Sequence, residues 1–212
     1  MTDSIYDQLN AYGTVAKQRF VETFSGDALD TDRWNSQNVT GTGSVGMIDE
    51  IDGGGFVSSA SGANQHQEIN FNGIKQFSHT TCTMIGVTNR YLDSTDQFVG
   101  FCSGTNSLDP ANSLATYTMM NQNAKISIQT SDGSNSGLST EVYASVDKDV
   151  NSFKPWKIEG GSSDYKLYIS GVLEATTSTK IPTASMQPIV GCRSRTSTVS
   201  TTRVRYMECY NT

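Results

Sequence analysis

The sequence has few charged residues, no long apolar run and no excess of positive charge. Charged residues make up 17% of the 212 residues, below the usual quarter, and the formal net charge is −6. An acidic chain lacks the basic surface that binding to a phosphate backbone requires, so we expect no nucleic-acid partner. No segment is apolar enough to cross a bilayer, and residues 1–13 lack the apolar core of a secretory signal. We therefore expect no membrane span and no signal peptide.

The chain is instead rich in Ser, Thr, Asn, Gln and Gly, and its apolar residues alternate along short segments fenced by turn residues. This pattern predicts strands, and many short strands without intervening helices predict an all-β sandwich of two antiparallel sheets. We expect one domain over residues 19–212, preceded by an arm over residues 1–18. The predicted strands, beyond those of the segment 153–182, are Arg19–Phe24, Ser44–Asp52, Phe56–Ser59, His66–Phe71, Phe77–Thr88, Gln97–Ser103, Leu114–Asn121, Ala124–Thr130, Ser139–Val146, Ile189–Arg195 and Thr202–Tyr210.

The arm is the one place with helical periodicity. Within Ser4–Ala16, apolar side chains recur at Ile5, Leu9 and Tyr12, the i, i+4, i+7 spacing of an amphipathic helix. Its apolar stripe must pack on something, either on its own domain or on a neighbouring subunit. We interpret Ile5, Leu9 and Tyr12 as partner-binding residues.

The segment Phe153–Pro182 predicts three consecutive strands with turns at Gly160–Asp164 and near Gly171. A two-residue loop at the second turn would place Leu167 opposite Glu174. A three-residue loop, Ile169–Gly171, would place Leu167 opposite Leu173, Tyr165 opposite Ala175 and Lys166 opposite Glu174. The second register gives one apolar face and one charge-paired face, and we prefer it.

Three stretches resemble a known family: FVETFSGDALDTDRW (20–34), KIEGGSSDYKLYISGVLEAT (157–176) and the closing TRVRYMECY (202–210). They are similar to concanavalin A-like jelly rolls, the fold of legume lectins, laminin G-like domains and family 16 glucanases. The resemblance implies two curved sheets with the first and last strands adjacent, and carbohydrate binding on the concave face with calcium nearby. Such domains also occur in virus and phage particle proteins next to a short N-terminal arm.

A catalytic role has one partial match. Family 16 glycosidases carry Glu-x-Asp-x-x-Glu on one strand, where alternation points the carboxylates into the cleft. Glu50 and Asp52 match the first two positions, but the third is Gly55, and Gly53–Gly55 is typical of a turn. We therefore predict that the chain is not an enzyme.

The histidines and cysteines give no catalytic or metal-binding pattern. His66 stands among polar residues, which indicates a solvated strand face, and His79 has no partner signature; we interpret both as structural. The four cysteines lie far apart inside predicted strands, which favours buried thiols over disulfides: Cys82, Cys102, Cys192 and Cys209.

Two weaker sites follow from residue type. Calcium ligands are candidates in one Asp-rich loop, although Asp also caps turns: Asp27, Asp30 and Asp32. Asp93 and Asp96 offer similar oxygens elsewhere. Aromatic and amide side chains on mid-chain strands are candidates for a sugar platform, since rings stack on sugar faces: Tyr117, Tyr143, Asn121 and Gln122.

Four arginines form a distinctive pattern near the C-terminus. Arg193 and Arg195 share one face of their strand, and Arg203 and Arg205 share one face of theirs. If the strands pair, four like charges gather on one sheet, which costs energy unless acidic groups face them. The acidic groups belong either to this domain or to an acidic neighbouring subunit, and the second alternative makes the arginines a partner-binding face.

Together these features favour a non-enzymatic virion structural protein, a capsid-decorating or surface subunit on a lectin-like jelly roll. Its expected partners are other virion proteins or further copies of itself, with host surface glycans as ligands, and its expected location is the virion. The alternatives are a free-standing carbohydrate-binding lectin module and a glycoside hydrolase. No cofactor is expected apart from the calcium alternative.

Overall fold

A computed structural model describes eight stretches of the chain. The predicted arm, with Ile5, Leu9 and Tyr12, lies outside them, and its packing stays a prediction. The described residues are 19–48, 54–72, 77–91, 95–104, 115–120, 125–133, 142–144 and 154–212.

The described residues form fifteen β-strands. Among the described residues there is no helix long and apolar enough to cross a membrane. The strands are β1 (Arg19–Glu22), β2 (Asn35–Thr40), β3 (Gly43–Met47), β4 (Gly55–Ser59), β5 (His66–Asn70), β6 (Cys82–Tyr91), β7 (Thr95–Cys102), β8 (Ala115–Met120), β9 (Lys125–Thr130), β10 (Val142–Tyr143), β11 (Lys154–Gly160), β12 (Tyr165–Ile169), β13 (Val172–Thr177), β14 (Gln187–Ser194) and β15 (Thr201–Asn211).

The strands form two antiparallel sheets, which confirms the predicted all-β sandwich. The first sheet has the order β13-β12-β11-β6-β15-β4-β3, with β1 paired to β15; the second has the order β10-β9-β8-β7-β14-β5-β2. Phe20 of β1 lies opposite Cys209 of β15, so the first and last strands are adjacent, as the resemblance implied. All four cysteines are buried and none forms a disulfide.

An aromatic cluster explains why the N-terminal motif marks this fold. The Phe20 ring lies 4.5 Å from the Phe71 ring, and Trp34 lies 4.7 Å from Phe71 and stacks on Phe24 at 5.7 Å. Glu22 accepts a hydrogen bond from Trp34 Nε1 at 3.1 Å. The motif therefore brings β1 and the loop before β2 into one core between the sheets.

The turn between β12 and β13 differs from the preferred prediction. Ser170 has φ 51° and Gly171 has φ 83°, and Ile169 pairs with Val172. Two consecutive residues with positive φ form the tight two-residue turn whose twist matches antiparallel strands. The predicted three-residue loop Ile169–Gly171 is therefore wrong.

The register beyond this turn also differs, because β13 contains a bulge. Tyr168 pairs with Leu173, but Leu167 pairs with Ala175, so the register shifts by one residue and Glu174 is the extra residue. Leu167 thus lies opposite neither Leu173 nor Glu174. A bulge places two residues opposite one, and here it returns Ala175 to the buried side next to Leu167.

Two strand predictions need correction. Asn35–Thr40 forms the edge strand β2 of the second sheet, but its polar sequence gave no strand signal. The strand predicted over Phe77–Thr88 begins only at Cys82, and Phe77 makes an isolated bridge to Met186 before the chain enters β6.

Candidate functional site on the outer face of the second sheet

The second sheet has side chains packed on both faces. Along β7, Val99 and Phe101 belong to the core between the sheets, whereas Phe98 and Cys102 form a separate buried cluster with Ile189 of β14. Because successive side chains on a strand point to opposite faces, the separate cluster lies on the face turned away from the core. We call this the outer face.

Polar and charged residues share the outer face with this apolar cluster. Arg193 of β14 lies opposite both His66 of β5 and Asp96 of β7. Two residues earlier, Gly191 lies opposite Glu68 and Phe98. Cross-strand partners point to the same face, so the pairing of three strands places the polar groups together.

The first polar group on this face is built on β5. Asn70 Nδ2 donates a hydrogen bond to Glu68 Oε1 at 3.2 Å, and His66 Nε2 lies 3.2 Å from Glu68 Oε2. His66 Nε2 is close to Glu68 without hydrogen-bond geometry, and it makes no hydrogen bond within the described residues. All three side chains are buried, and Glu68 has no solvent exposure. The prediction that His66 lies on a solvated face is therefore wrong.

The second polar group joins β7 to β14. Arg193 donates from Nε at 3.0 Å and from Nη2 at 2.6 Å to Asp96 Oδ2, and Arg195 Nε donates to Asp96 Oδ1 at 2.8 Å. Asp96 is 1% exposed, whereas the side chains of Arg193 and Arg195 are 30% and 39% exposed. Charge-assisted bonds to both oxygens of one carboxylate hold the two guanidinium groups in place.

An aromatic ring lies on the same face beside the two polar groups. Phe98 lies over Gly191, where an added Cβ would be 2.5 Å from Phe98 Cε2, so only glycine accommodates the ring. The His66 ring packs edge-on against Phe98 at 5.5 Å. Burial, opposed by a hydrogen bond from Gly104 and reinforced by Glu68, raises the pKa of the nearby Cys102 thiol to about 12, so Cys102 is a protonated thiol here.

The four arginines that the sequence suggested could gather on one sheet lie on two different sheets. Arg193 and Arg195 belong to the second sheet and the turn that follows β14, whereas Arg203 lies in β15 of the first sheet, opposite Phe56 and Asn89. Arg205 is in β15 as well. For Arg193 and Arg195 the neutralising acid belongs to the domain itself, which is one of the two alternatives drawn from the sequence.

The Asp-rich loop is organised as a turn. Asp30 Oδ1 accepts a hydrogen bond from the Asp32 amide at 3.1 Å, and Asp30 Oδ2 lies 3.1 Å from Arg33 Nε. Within the described residues no group of three or more His, Cys, Asp or Glu side chains is arranged to hold a metal ion. The calcium-binding role of Asp27, Asp30 and Asp32 stays a prediction.

The other predicted sites are only partly described. Tyr117 lies in β8, where it pairs with Val99 and Ile128, and Tyr143 lies in β10, so both belong to the second sheet. Asn121 and Gln122 lie outside the described residues. The sugar-platform role of these four residues stays a prediction.

The first two residues of the partial catalytic motif lie outside the described residues. Glu50 and Asp52 lie outside the described residues, between β3 and β4, which are paired neighbours in the first sheet. In the second sheet, no described strand carries two carboxylates; Glu68 and Asp96 come from the strands on either side of β14. Sequence reasoning passed over Glu68, and considered Asp96 only for calcium.

Comparisons with known proteins identify the fold. No family model matches the chain, and no curated protein matches it. Among solved structures, a β-1,3-1,4-glucanase (lichenase) from a mouse hindgut metagenome is similar, with 12% identity, a TM-score of 0.68, and coverage of 91% of this chain and 98% of that one. An endo-1,3-β-glucanase (laminarinase) from Thermotoga petrophila has 8% identity and a TM-score of 0.64, over 92% and 98%. An endo-β-galactosidase from Clostridium perfringens has 11% identity and a TM-score of 0.67, over 93% and 62%.

At this level of identity the similarity establishes the concanavalin A-like jelly-roll fold, as the sequence resemblance implied. The prediction of a non-enzymatic virion structural protein is contradicted, because the similar structures are glycoside hydrolases. The same finding contradicts the prediction that the chain is not an enzyme. The partners and the location expected from the sequence are tested by neither the structure nor the comparisons and stay predictions.

Proposed function

We propose that the protein is a glycoside hydrolase that acts on a polysaccharide at the outer face of the second sheet. The observation that carries the proposal is the buried Glu68 beside His66 and Asn70 on the same face as an ordered pair of arginines. The fold similarity to glucanases and a galactosidase over nine-tenths of the chain supports the same class of substrate.

Glu68 is the candidate proton donor or acceptor. Glycoside hydrolysis uses a carboxyl group that protonates the leaving oxygen, together with a second group, usually a carboxylate, that attacks the sugar or activates water. Asp96 accepts arginine hydrogen bonds on both oxygens, which fits a positioning residue rather than a nucleophile. Among the described residues of this face, Glu68 is the carboxylate outside the arginine pair.

Exposure divides the outer face into two ends. The arginine end is open to solvent, whereas the Glu68 end is covered. A reacting sugar must touch the proton donor within hydrogen-bond distance. Contact between Glu68 and a substrate therefore requires that the residues covering it move when the polysaccharide binds.

The test is a reducing-end assay on a mixed-linkage β-1,3-1,4-glucan, a β-1,3-glucan and a β-galactan. We expect wild-type protein to cleave at least one polymer, and Glu68→Gln to lower the rate by about 100-fold or more, the usual range for a general acid or base. Glu159→Gln is the matched control, because Glu159 is partly exposed on the first sheet and pairs with Lys157.

Two results would overturn parts of the proposal. Wild-type protein that cleaves none of the polymers would refute the hydrolase function. Cleavage that Glu68→Gln leaves unchanged, with Glu159→Gln equally active, would refute the role of Glu68. A circular dichroism spectrum of each variant verifies that the variant is folded before its activity is compared with that of the wild type.

A further inference from the structure

The first sheet also has a face that is turned away from the core, and this face carries tyrosine side chains. On β11, Trp156 and Ile158 belong to the core, so Lys157 between them lies on the opposite face. Tyr206 and Tyr210 share this face from β15. A row of cross-strand partners crosses six strands here, and its members are Leu173, Tyr168, Lys157, Ile85, Glu208 and Val21. We call the row, together with Tyr206 and Tyr210, the tyrosine face.

Two of the tyrosine rings flank one ammonium group. Lys157 Nζ lies 4.1 Å from the centre of the Tyr168 ring and donates a hydrogen bond to Glu159 Oε1 at 2.6 Å. This hydrogen bond raises the pKa of Lys157, burial opposes the rise, and Tyr168 and Tyr210 add to it. Tyr210 is therefore close to the same ammonium group from the side of β15. The cluster combines two aromatic rings with a hydrogen-bond donor and an acceptor.

The third ring is held by a carboxylate on its own strand. Tyr206 donates a hydrogen bond from its hydroxyl to Glu208 Oε2 at 2.6 Å, and Arg19 Nε donates to Glu208 Oε1 at 2.8 Å. Burial and the hydrogen bond to Glu208 raise the pKa of Tyr206 to about 12, so its hydroxyl stays protonated at neutral pH. Groups that are fixed before a ligand arrives lose little conformational entropy on binding, which increases affinity.

The tyrosine face is long and open at both ends. Neighbouring strands are about 4.8 Å apart, so the row across six strands is about 24 Å long. Leu173 at one end is 49% exposed and Val21 at the other is 38% exposed, and the side chains between them are half-buried. Lys157 and Arg19 are each paired with a glutamate, so the cations beside the rings do not require a charged ligand. Its length suits an extended polymer rather than a single sugar.

From these observations we propose that the tyrosine face is a second polysaccharide-binding site, which holds an uncharged polymer on the side of the sandwich opposite to the candidate catalytic site. The rings of Tyr168 and Tyr210 pack on sugar faces. Lys157 donates hydrogen bonds to sugar hydroxyls, and Glu159 accepts them. The inference rests on the proposed function for the polymer, and it adds a binding site that takes no part in the reaction.

The experiment measures binding of three uncharged polymers by affinity electrophoresis: a mixed-linkage β-1,3-1,4-glucan, a β-1,3-glucan and a β-galactan. The Glu68→Gln protein is used throughout, so that the polymer is not cleaved during the measurement. We expect at least one polymer to bind, and Tyr210→Ala to weaken that binding about tenfold. Tyr210→Phe is the matched control, because it keeps the ring and should keep the affinity. Equal affinity in the alanine and phenylalanine variants would refute the site, as would the binding of no polymer.

Tyr210→Ala removes a half-buried ring, so a second variant is placed at an exposed position. Leu173→Ser removes an apolar side chain at the end of the row and should weaken binding about threefold. Val172→Ser is its control, because Val172 is also exposed and pairs with Ile169, whose side chain lies on the core side of the sheet. Melting temperatures verify that each variant is folded. Equal affinities of folded Leu173→Ser and Val172→Ser would contradict the proposal.

Failure of this inference can be told from failure of the proposed function. If a polymer binds and Tyr210→Ala weakens the binding, but wild-type protein cleaves no polymer, the hydrolase is refuted and the tyrosine face stands. If polymer is cleaved and Tyr210→Ala leaves its affinity unchanged, the tyrosine face is refuted and the hydrolase stands.

Two further measurements separate this site from other roles of the same residues. With Glu68 intact, wild type and Tyr210→Ala should cleave a short oligosaccharide at equal rates, and slower cleavage by the folded variant would refute a site remote from the reaction. Sedimentation at increasing protein concentration tests whether a second copy of the chain occupies the face. Self-association that Tyr210→Ala abolishes, with polymer affinity unchanged, would refute the polysaccharide site.

Discussion

Replacement of Gly86 by alanine tests how closely the first sheet packs on the core. Gly86 of β6 lies opposite Trp156 of β11, and the Trp156 ring lies directly over the glycine. An added Cβ would clash with Trp156 Cζ2 and would lie 2.9 Å from Cε2. Trp156 is 2% exposed, and its Nε1 donates a hydrogen bond to Thr88 Oγ1 at 3.0 Å. The ring cannot move away without disturbing that bond.

The size of the effect follows from two costs and one gain. Overpacking in a close-packed core costs about 1–3 kcal/mol, and a buried donor left without its acceptor costs about 1–3 kcal/mol. Alanine lowers the conformational entropy of the unfolded chain, which stabilises the folded state by about 0.4–1 kcal/mol. The two costs less the gain amount to about 1–5 kcal/mol, and we expect Gly86→Ala to lower the free energy of unfolding by a value near the middle of that range, about 2–4 kcal/mol. For a domain of this size that corresponds to a fall in melting temperature of about 4–16 °C.

The assay is urea unfolding followed by far-ultraviolet circular dichroism, arranged as a double-mutant cycle with Trp156→Leu. In the leucine background the added methyl group has room, so Gly86→Ala should cost less than about 1 kcal/mol, and the two changes should not be additive. Val172→Ala, at a side chain 59% exposed, should stay within about 0.5 kcal/mol of wild type. Additive losses, or a loss below about 0.5 kcal/mol for Gly86→Ala alone, would refute the packing argument.

Three further predictions concern the outer face and the buried thiols. Asp96→Asn removes the carboxylate that holds two arginines and should lower the free energy of unfolding by about 2–3 kcal/mol in urea, whereas the exposed Asp32→Asn should have little effect. Burial raises the pKa of the Cys192 thiol from 9.0 to about 12, so its contribution to stability is complete below pH 9 and is lost toward pH 12, by about 1.4 kcal/mol per pH unit. Cys192→Ala should reduce this slope in unfolding experiments at pH 8, 10 and 11, and an unchanged slope would contradict it. Gly191→Ala would displace the Phe98 ring. On the proposed function, it should lower the rate of polysaccharide cleavage in protein that circular dichroism shows to be folded, and an unchanged rate would contradict this prediction.

The fold was predictable because its signals are local. Alternation of Trp156 and Ile158 along β11 marks a strand with one buried face, and both residues lie in the core. The edge strand Asn35–Thr40 has no such alternation, because its sequence, NSQNVT, is polar. Propensity and periodicity report burial, and a polar edge strand is held mainly by backbone pairing with its neighbour.

The hairpin shows where period-two reasoning ends. The sequence indicated a turn at Gly171 and an apolar face containing Leu167, and both are present. The register was wrong because a bulge at Glu174 adds one residue to β13. The pairing register of two strands is set by which side chains reach the core. The bulge makes one position irregular and keeps both Leu167 and Ala175 buried.

The site was missed because its parts are distant in sequence. His66 and Glu68 stand in a polar stretch, and polar alternation usually indicates a solvated face. This sheet buries side chains on both faces, which a single strand cannot reveal. Asp96 and Arg193 are almost a hundred positions apart and meet only because β7 pairs with β14.

The arrangement around Gly191 links the two ends of the outer face. Arg193 and Gly191 are two residues apart on β14, and Glu68 lies directly opposite Gly191. Two residues of a strand span about 7 Å, so a polysaccharide that contacts Arg193 has its neighbouring portion level with Glu68. The Phe98 ring, which Gly191 accommodates, is fully buried and level with Glu68, so it belongs to the covered end of the outer face. On the proposed function, a polysaccharide bound at the exposed arginine end therefore lies along the route to the buried carboxylate.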